Sequence, residues 1–292
     1  MTRWLPWLAG VAGVLVVGTM GLRAVGVQRW AELMRTHTRE LEAGRLDAQG
    51  RLPSPARFDT RELEGLPAPV QRYFRAVLTE GQPIIAAATI EMAGTINMSA
   101  TAEQWKPFTS HQRVVTRRPG FLWDAEVDMF PGVPARVVDS YVAGQGRLIA
   151  KLLGLFTVAD AQGGGELARG EFMRYFAEAA WYPTALLPSQ GVRWEAVDDA
   201  SAHASIVDGP ITLTLLFGFD AAGLITSVRA ESRGAGVGKD MVMLPWDCGL
   251  SNYRPQDGMV VPMTGEAGWV RPEGRKAYFV GQVKKLSYEF LP

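Results

Sequence analysis

The sequence contains a single cysteine, Cys248, so no disulfide can form within the chain. Its three histidines, His37, His111 and His203, are far apart and cluster with no other metal-binding residue types, which argues against a zinc site of histidine and cysteine. Basic and acidic residues number 30 each, and this balance argues against a nucleic-acid-binding protein, which usually carries a basic excess. We therefore predict no metal, no other cofactor and no nucleic-acid partner.

Catalytic motifs and internal repeats are also missing. No Gly-x-Ser-x-Gly nucleophile motif occurs. The segment Gly234 to Asp240 (GAGVGKD) has neither the spacing nor the following hydroxyl residue of a phosphate-binding loop, so we interpret it as a flexible loop. Asp124, Glu126 and Asp128 alternate along a predicted strand, and we interpret them as a solvated face rather than a cation site. The sequence assigns no catalytic residue and favours binding over catalysis.

A charge-free run of 19 residues, Trp4 to Leu22, stands near the amino terminus. Its length is close to the ~20 residues that a helix needs to cross a bilayer, and Trp4 and Trp7 occupy the position of an interfacial aromatic belt. The alternative is a cleaved signal peptide, whose apolar core is typically ~7–15 residues long. We favour a single-pass anchor in the cell membrane over residues 1–27, and leave open on which side the rest of the chain lies.

Residues 28–58 are interpreted as a helical stalk and linker. Gln28 to Arg45 is a charged helical pattern with sparse apolar positions, among them Trp30 and Leu41. Glycines and prolines then mark a linker. The stalk is expected to hold a domain, residues 59–292, away from the membrane.

The domain over residues 59–292 is predicted to consist mainly of antiparallel strands. From Pro83 onward the apolar pattern has a period of two, and short turn-forming links such as Asp208-Gly209-Pro210 separate its segments. We count about 10–12 strands, and a sheet of that size curls or splits. We therefore predict an α+β fold in which a large curved antiparallel sheet, a half-barrel, wraps around a central helix.

The central helix is predicted over Leu167 to Ala180, where apolar residues recur at three- and four-residue spacing. On another face, Glu171, Arg174, Glu178 and Trp181 recur at the same spacing. These side chains form either an ion-paired stripe against solvent or sheet, or a group inside the concave sheet. In the second case Arg174 would bind an anionic head group, to which its planar fork is suited, or Glu178 would act in acid–base catalysis.

The candidate ligand-binding residues combine charged groups with tryptophans. The tryptophans are most simply core residues, yet nine of them in one chain would equally suit an apolar pocket. Two alternatives stay open: an enzyme that uses pocket carboxylates with Arg174, and an interaction module without a pocket. The predicted set is Arg174, Glu178, Trp181, Asp139, Trp123 and Trp246.

The segment Arg174 to Leu187 (RYFAEAAWYPTALL) resembles a family of uncharacterised bacterial proteins that often carry an amino-terminal hydrophobic segment. Leu66 to Phe74 (LPAPVQRYF) and Gly258 to Trp269 (GMVVPMTGEAGW) fit the same family, which brings no known activity. At the level of fold, the domain also resembles the lipoprotein carriers of the bacterial Lol system, in which a curved sheet shelters acyl chains. These resemblances imply a membrane-tethered domain that binds a lipid or another amphiphile on the concave face of its sheet.

Overall fold

The computed structural model describes residues 5–48, 55–99, 102–237 and 240–291. For residues 5–19, 44–48, 237 and 240 it describes the backbone only. The predicted anchor, 4–22, falls almost wholly outside the described side chains. Within the described part of the chain, no helix is both long enough and apolar enough to cross a membrane. The anchor therefore stays a prediction.

The described chain forms three α-helices, fifteen strands and four short 3₁₀ turns. The helices are α1 (Leu5–Ala48), α2 (Ala68–Val77) and α3 (Gly165–Ala177), and the 3₁₀ turns cover Thr60–Leu63, Glu178–Trp181, Pro183–Leu186 and Pro188–Gln190. The strands are β1 (Ile85–Asn97), β2 (Trp105–Val115), β3 (Gly120–Phe130), β4 (Val133–Val142), β5 (Gln145–Leu152), β6 (Phe156–Gly163), β7 (Arg193–Asp198), β8 (Ser201–Asp208), β9 (Ile211–Phe219), β10 (Ile225–Val237), β11 (Asp240–Ser251), β12 (Arg254–Gln256), β13 (Met259–Val261), β14 (Thr264–Arg271) and β15 (Gly274–Phe290).

Thirteen of these strands form one open, curved antiparallel sheet in the order β6-β5-β4-β3-β2-β1-β15-β14-β11-β10-β9-β8-β7, and β12 pairs with β13 in a separate hairpin. Strands β1 and β15 form the centre, with one arm from β2 to β6 and the other from β14 to β7. The predicted curved antiparallel sheet is confirmed, although the strand count of 10–12 was too low. Strand β6 was missed because it is an edge strand whose residues are mostly exposed, so it carries no buried alternation.

Helix α3 lies on the inner face of the sheet, between the two arms. Phe172 of α3 stacks on Tyr141 of β4 with ring centroids 4.8 Å apart, and Phe176 meets Phe217 of β9 edge-on at 5.5 Å. All four rings are fully buried. Because one helix contacts both arms, the sheet bends around it as predicted. The last three residues of the predicted helix, which ends at Ala180, belong to the 3₁₀ turn Glu178–Trp181 instead of the α-helix.

Helix α1 packs against the outer face of the first arm. Trp30 and Leu41 are buried there in a small apolar cluster with Val115, Leu122 and Val138 of the sheet. The apolar positions of the predicted stalk are therefore covered by the sheet. Apolar surface removed from water in this way stabilises the docked helix.

Polar contacts hold α1 in the same position. Trp30 Nε1 donates a hydrogen bond to Asp124 Oδ1 of β3 at 2.8 Å, and Arg113 Nε of β2 lies 2.9 Å from Glu42 Oε1. Burial raises the pKa of Asp124. The interpretation of this acidic strand as a solvated face is therefore wrong at Asp124, because a helix distant in sequence covers it.

The predicted loop over 234–240 is also wrong over most of its length. Strand β10 continues to Val237, and Gly234 and Ala235 pair with Met243 and Val242 of β11. Glycine has little intrinsic preference for strands, so the local sequence favours a loop. The partner strand supplies the hydrogen bonds that extend the hairpin.

Candidate functional site

A cavity of about 240 Å³ lies between the end of α3 and the inner face of the sheet. This is far more than the ~10–15 Å³ that a single water molecule needs. Its wall is mainly apolar and aromatic, with five charged residues. The lining comprises Ile96, Trp123, Val137, Leu148, Ala177, Trp181, Trp246, Cys248, Leu250, Gly265, Ala267, Tyr278 and Phe279, together with Asp139, Arg174, Glu178, Arg233 and Glu266. All six residues predicted from the sequence line this one cavity; their role in ligand binding stays a prediction.

An outer cavity of about 470 Å³ adjoins the first one and shares Leu148 and Tyr278 with it. Met98, just after β1, and Gly236, near the end of β10, also line it. The outer cavity therefore lies at the end of the sheet where the β1–β2 and β10–β11 hairpins turn.

The guanidinium of Arg174 is held by three side chains of the protein. Nη1 lies 2.6 Å from Asp139 Oδ2 and Nε lies 2.8 Å from Glu178 Oε1, while Nη2 donates to Gln112 Oε1 at 3.2 Å. Gln112 Nε2 in turn donates to Glu178 Oε2 at 2.6 Å. This network ties α3 to β2 and β4, since Gln112 and Asp139 lie on those strands.

Aromatic rings complete the surroundings of Arg174. Its Cζ atom lies 4.9 Å from the ring centroids of both Phe121 and Trp123. Burial lowers the pKa of Arg174, but the carboxylates of Glu178 and Asp139 more than offset this, and the pKa is raised overall. Because every nitrogen of the fork has a partner, the arrangement favours the ion-paired stripe over direct binding of a head group by Arg174.

Glu171, one turn before Arg174, adds a third carboxyl group to this network. Oε2 of Glu171 and Oδ1 of Asp139 are both buried, and neither has a hydrogen-bond partner among the described donors. Burial first, and then the negative charge of Asp139, raise the pKa of Glu171 well above its ordinary value. A proton retained on Glu171 would provide a hydrogen-bond donor for Oδ1 of Asp139, whose Oδ2 is already paired with Arg174.

Arg233 of β10 is the charged residue of the cavity that sequence reasoning missed. Between Ala230 and Arg233 the β10–β11 register shifts, because Glu231 and Ser232 form a bulge. Simple alternation from the buried positions Val228 and Ala230 would place Ser232 inward and Arg233 outward. The bulge reverses this, and Arg233 is only 8% exposed on the inner face. In the sequence, two consecutive polar residues, Glu231 and Ser232, interrupt the alternation of the strand and were the available signal for a bulge.

Trp181, in the 3₁₀ turn that directly follows α3, forms part of the cavity wall. Its Nε1 donates to the carbonyl of Pro262 at 2.8 Å, and Tyr288 donates its hydroxyl to the carbonyl of Trp181 at 2.7 Å. The indole lies directly over Gly265 of β14, where a Cβ would come within 2.7 Å of Cζ2. Gly265 therefore makes room for the indole at the cavity wall.

Among the residues described here, no group of three or more histidine, cysteine, aspartate or glutamate side chains is arranged to hold a metal ion. Of the carboxyl groups at the cavity, Asp139 and Glu178 pair with Arg174. The mainly apolar wall suits noncovalent binding of a molecule with an apolar body.

Comparison with known protein families gives a match over most of the chain. The sequence pattern of a family of unknown function, DUF6920, matches residues 64–288. This range contains all of the segments on which the predicted family resemblance depends. No protein with a curated description matches the sequence.

Two solved structures are distantly similar to this fold. The crystal structure of a LolA-superfamily protein from Nitrosomonas europaea is similar at 8% identity and a TM-score of 0.40, over 77% of this chain and 93% of that chain. A β-barrel-like protein of the domain of unknown function DUF1849 from Brucella abortus is similar at 11% identity and a TM-score of 0.20, over 73% of this chain and 100% of that chain. The predicted likeness to Lol carriers is thus present, but at this distance it assigns neither ligand nor activity.

Proposed function

The chain belongs to the DUF6920 family of unknown function, and we propose that its domain binds a lipid or another small amphiphile in the cavity beside α3. The observation that carries the proposal is the cavity itself: about 240 Å³, walled by tryptophans and aliphatic side chains, with charged groups at defined places. Ligand sites in proteins commonly combine a largely apolar wall with a few polar groups.

The apolar wall provides the driving force for binding. Trp123, Trp181 and Trp246 all face the cavity, and apolar ligand surface placed against them would be removed from water. We infer an access route through the outer cavity, which shares the lining residues Leu148 and Tyr278 with the inner one. By this route an amphiphile would enter without unfolding of the sheet.

The two alternatives receive less support. An enzyme would need a carboxylate available to a substrate, whereas Asp139 and Glu178 are already bound to Arg174. An interaction module without a pocket does not account for a cavity of this size. The enzymatic alternative stays a prediction.

Native mass spectrometry of the full chain, combined with lipid extraction, tests the proposal. Wild type is expected to carry a co-purifying amphiphile. Ala267→Phe, which places a ring in the cavity, is expected to reduce the bound amount several-fold. Ala221→Phe, at an exposed turn residue, is the matched control and is expected to retain the ligand. Folding of both variants is checked by circular dichroism, and a folded wild type with no bound amphiphile after reconstitution with lipid would refute the proposal.

We also propose that residues 1–27 tether the domain to a membrane, with the cavity opening towards the bilayer. Gly26 of α1 lies against the β5–β6 connection, where a Cβ would overlap the carbonyl of Leu153. Helix α1 thus comes from the end of the sheet at which the β5–β6, β1–β2 and β10–β11 connections lie.

Exposed apolar side chains at that end of the sheet support this orientation. Phe130 is 63% exposed at the end of β3, and Met98, Phe156 and Met241 are exposed at the ends of β1, β6 and β11. Exposed apolar groups next to a tether are expected to contact lipid.

Alkaline carbonate extraction of membranes tests the tether. The full chain is expected to stay in the membrane pellet, and a chain beginning at residue 28 to be released. A reporter fused to the carboxyl terminus then reports the side of the domain. Release of the full chain would refute the tether without affecting the proposed ligand.

A further inference from the structure

Arg233 is a buried cation whose hydrogen-bonding capacity is not used up by the protein. The side chain is 8% exposed and lines the inner cavity. Its Nη1 atom is buried and has no hydrogen-bond partner in the described part of the chain. A buried polar group without a partner is costly, and a charged one more so.

Two tryptophans lie against the face of the guanidinium. Cζ of Arg233 lies 4.3 Å from the ring centroid of Trp246 and 5.9 Å from that of Trp269. The contact with the ring faces offsets part of the cost of burying the charge. It does not satisfy the N–H groups, because these lie in the plane of the guanidinium.

The titratable groups around Arg233 do not neutralise it. They are Glu171 of α3, Cys248 of β11 and Tyr278 of β15, each of which interacts electrostatically with Arg233. Burial raises the pKa of all three despite the positive charge of Arg233, and Asp139 raises that of Glu171 further. Burial therefore disfavours the charged form of all three side chains, and none of the described residues provides a hydrogen-bond partner for Nη1 of Arg233.

We propose that Arg233 binds the anionic head group, a carboxylate or a phosphate, of the amphiphile whose apolar part fills the cavity. This inference rests on the proposed function and adds the charge of the ligand to it. A carboxylate or phosphate suits the in-plane donors of arginine, which bind two oxygens side by side. The bulge at Glu231 and Ser232 is then the device that turns this arginine into the site.

Calorimetric titration of the delipidated full chain in an amphipathic polymer tests the inference with three probes: octanoate, octyl phosphate and 1-octanol. Polymer particles without protein correct for partition of the probes into the polymer. Wild type is expected to bind at least one of the two anions about tenfold or more tightly than the alcohol. The two anionic probes show whether a carboxylate or a phosphate is preferred.

Arg233→Met is expected to abolish this preference while it changes the affinity for 1-octanol by no more than about twofold. Arg229→Met is the matched control: Arg229 lies on the same strand but pairs with Glu231 outside the cavity, so the preference is expected to persist. Glu171→Gln, which imitates a protonated carboxyl group, is also expected to preserve it.

The outcomes separate the two proposals. Equal affinity of wild type for anions and alcohol would overturn the role of Arg233 and leave the apolar cavity as a binding site. Absence of binding by all three probes would overturn both. If Arg233→Met does not fold, the wild-type comparison of octanoate, octyl phosphate and 1-octanol decides the question by itself.

Discussion

Two arginines that are largely removed from solvent line the cavity, and the protein surrounds them differently. Arg174, on α3, is bound by Asp139, Glu178 and Gln112. Arg233, on β10, has tryptophan rings on its face, and its buried Nη1 has no partner among the residues that the structure describes. Burial alone therefore does not distinguish an arginine that stabilises the fold from one that is available to a ligand. The hydrogen-bond partners of each guanidinium nitrogen make that distinction.

The difference has a physical basis. An ion pair satisfied on all sides holds elements together, and removal of one member leaves the others buried without compensation. A buried cation without an ion-pair partner ties no elements together in the empty protein. It contributes most free energy when a bound anion compensates its charge. We therefore interpret the Arg174 end of the cavity as the part that fixes its shape, and the Arg233 end as the part that recognises charge.

The largest expected effect is on stability. Arg174→Met leaves the carboxylates of Asp139 and Glu178 buried without a cation and is expected to lower the free energy of unfolding by about 3–5 kcal/mol. Arg233→Met separates no ion pair and is expected to change it by about 1 kcal/mol or less. Urea unfolding followed by circular dichroism measures both, and equal losses would contradict the distinction between the two arginines.

A smaller effect on stability is expected at the cavity wall where Trp181 packs on Gly265. Gly265→Ala brings a Cβ within 2.7 Å of the Trp181 indole, which must move into the cavity or push β14 aside. We expect a loss of about 1–3 kcal/mol in the free energy of unfolding and weaker binding of all amphiphiles, charged or not. Gly249→Ala, on the neighbouring strand β11, is the control, because its Cβ would meet Glu266 Cβ at an ordinary 3.8 Å. Unchanged ligand affinity in Gly265→Ala would show that the indole has room elsewhere.

The smallest effect concerns pH. The pKa of Glu171 is raised in the folded state, so that state binds more protons than the unfolded one between the two pKa values. The stabilisation that the protonated Glu171 side chain contributes is fully present below its pKa in the unfolded state. It is lost as the pH rises towards its pKa in the folded state. Between pH 5 and 6, wild type is expected to lose up to about 1.4 kcal/mol more than Glu171→Gln. Parallel stability curves for the two proteins would show that Glu171 is ionised when folded.

Much of the fold could be predicted because local periodicity reports which face of an element is buried. The spacing around Phe172 and Phe176 predicted α3, and period-two alternation predicted most strands. The same logic placed Arg174, Glu178 and Trp181 together, because residues three and four apart share one face of a helix. Asp139 and Trp123 joined them from neighbouring strands, as the curved sheet required.

Prediction failed where long-range pairing overrides the local pattern. The glycine-rich segment 234–237 became a strand because β11 pairs with it. Helix α1 packs on the sheet because Trp30 meets Asp124, 94 residues away in sequence. Neither contact leaves a signal within a short window of sequence.

The sequence by itself determined that this chain builds a large antiparallel sheet around one helix, because alternation and helical spacing are properties of neighbouring residues. Only the tertiary structure decided which arginine is occupied and which has an unpartnered nitrogen. That choice depends on Asp139, which lies 35 residues before Arg174, and on the bulge that rotates Arg233 inward. Whether a buried charge is compensated depends on its distance from other charged groups in space. The order of residues along the chain does not specify these distances.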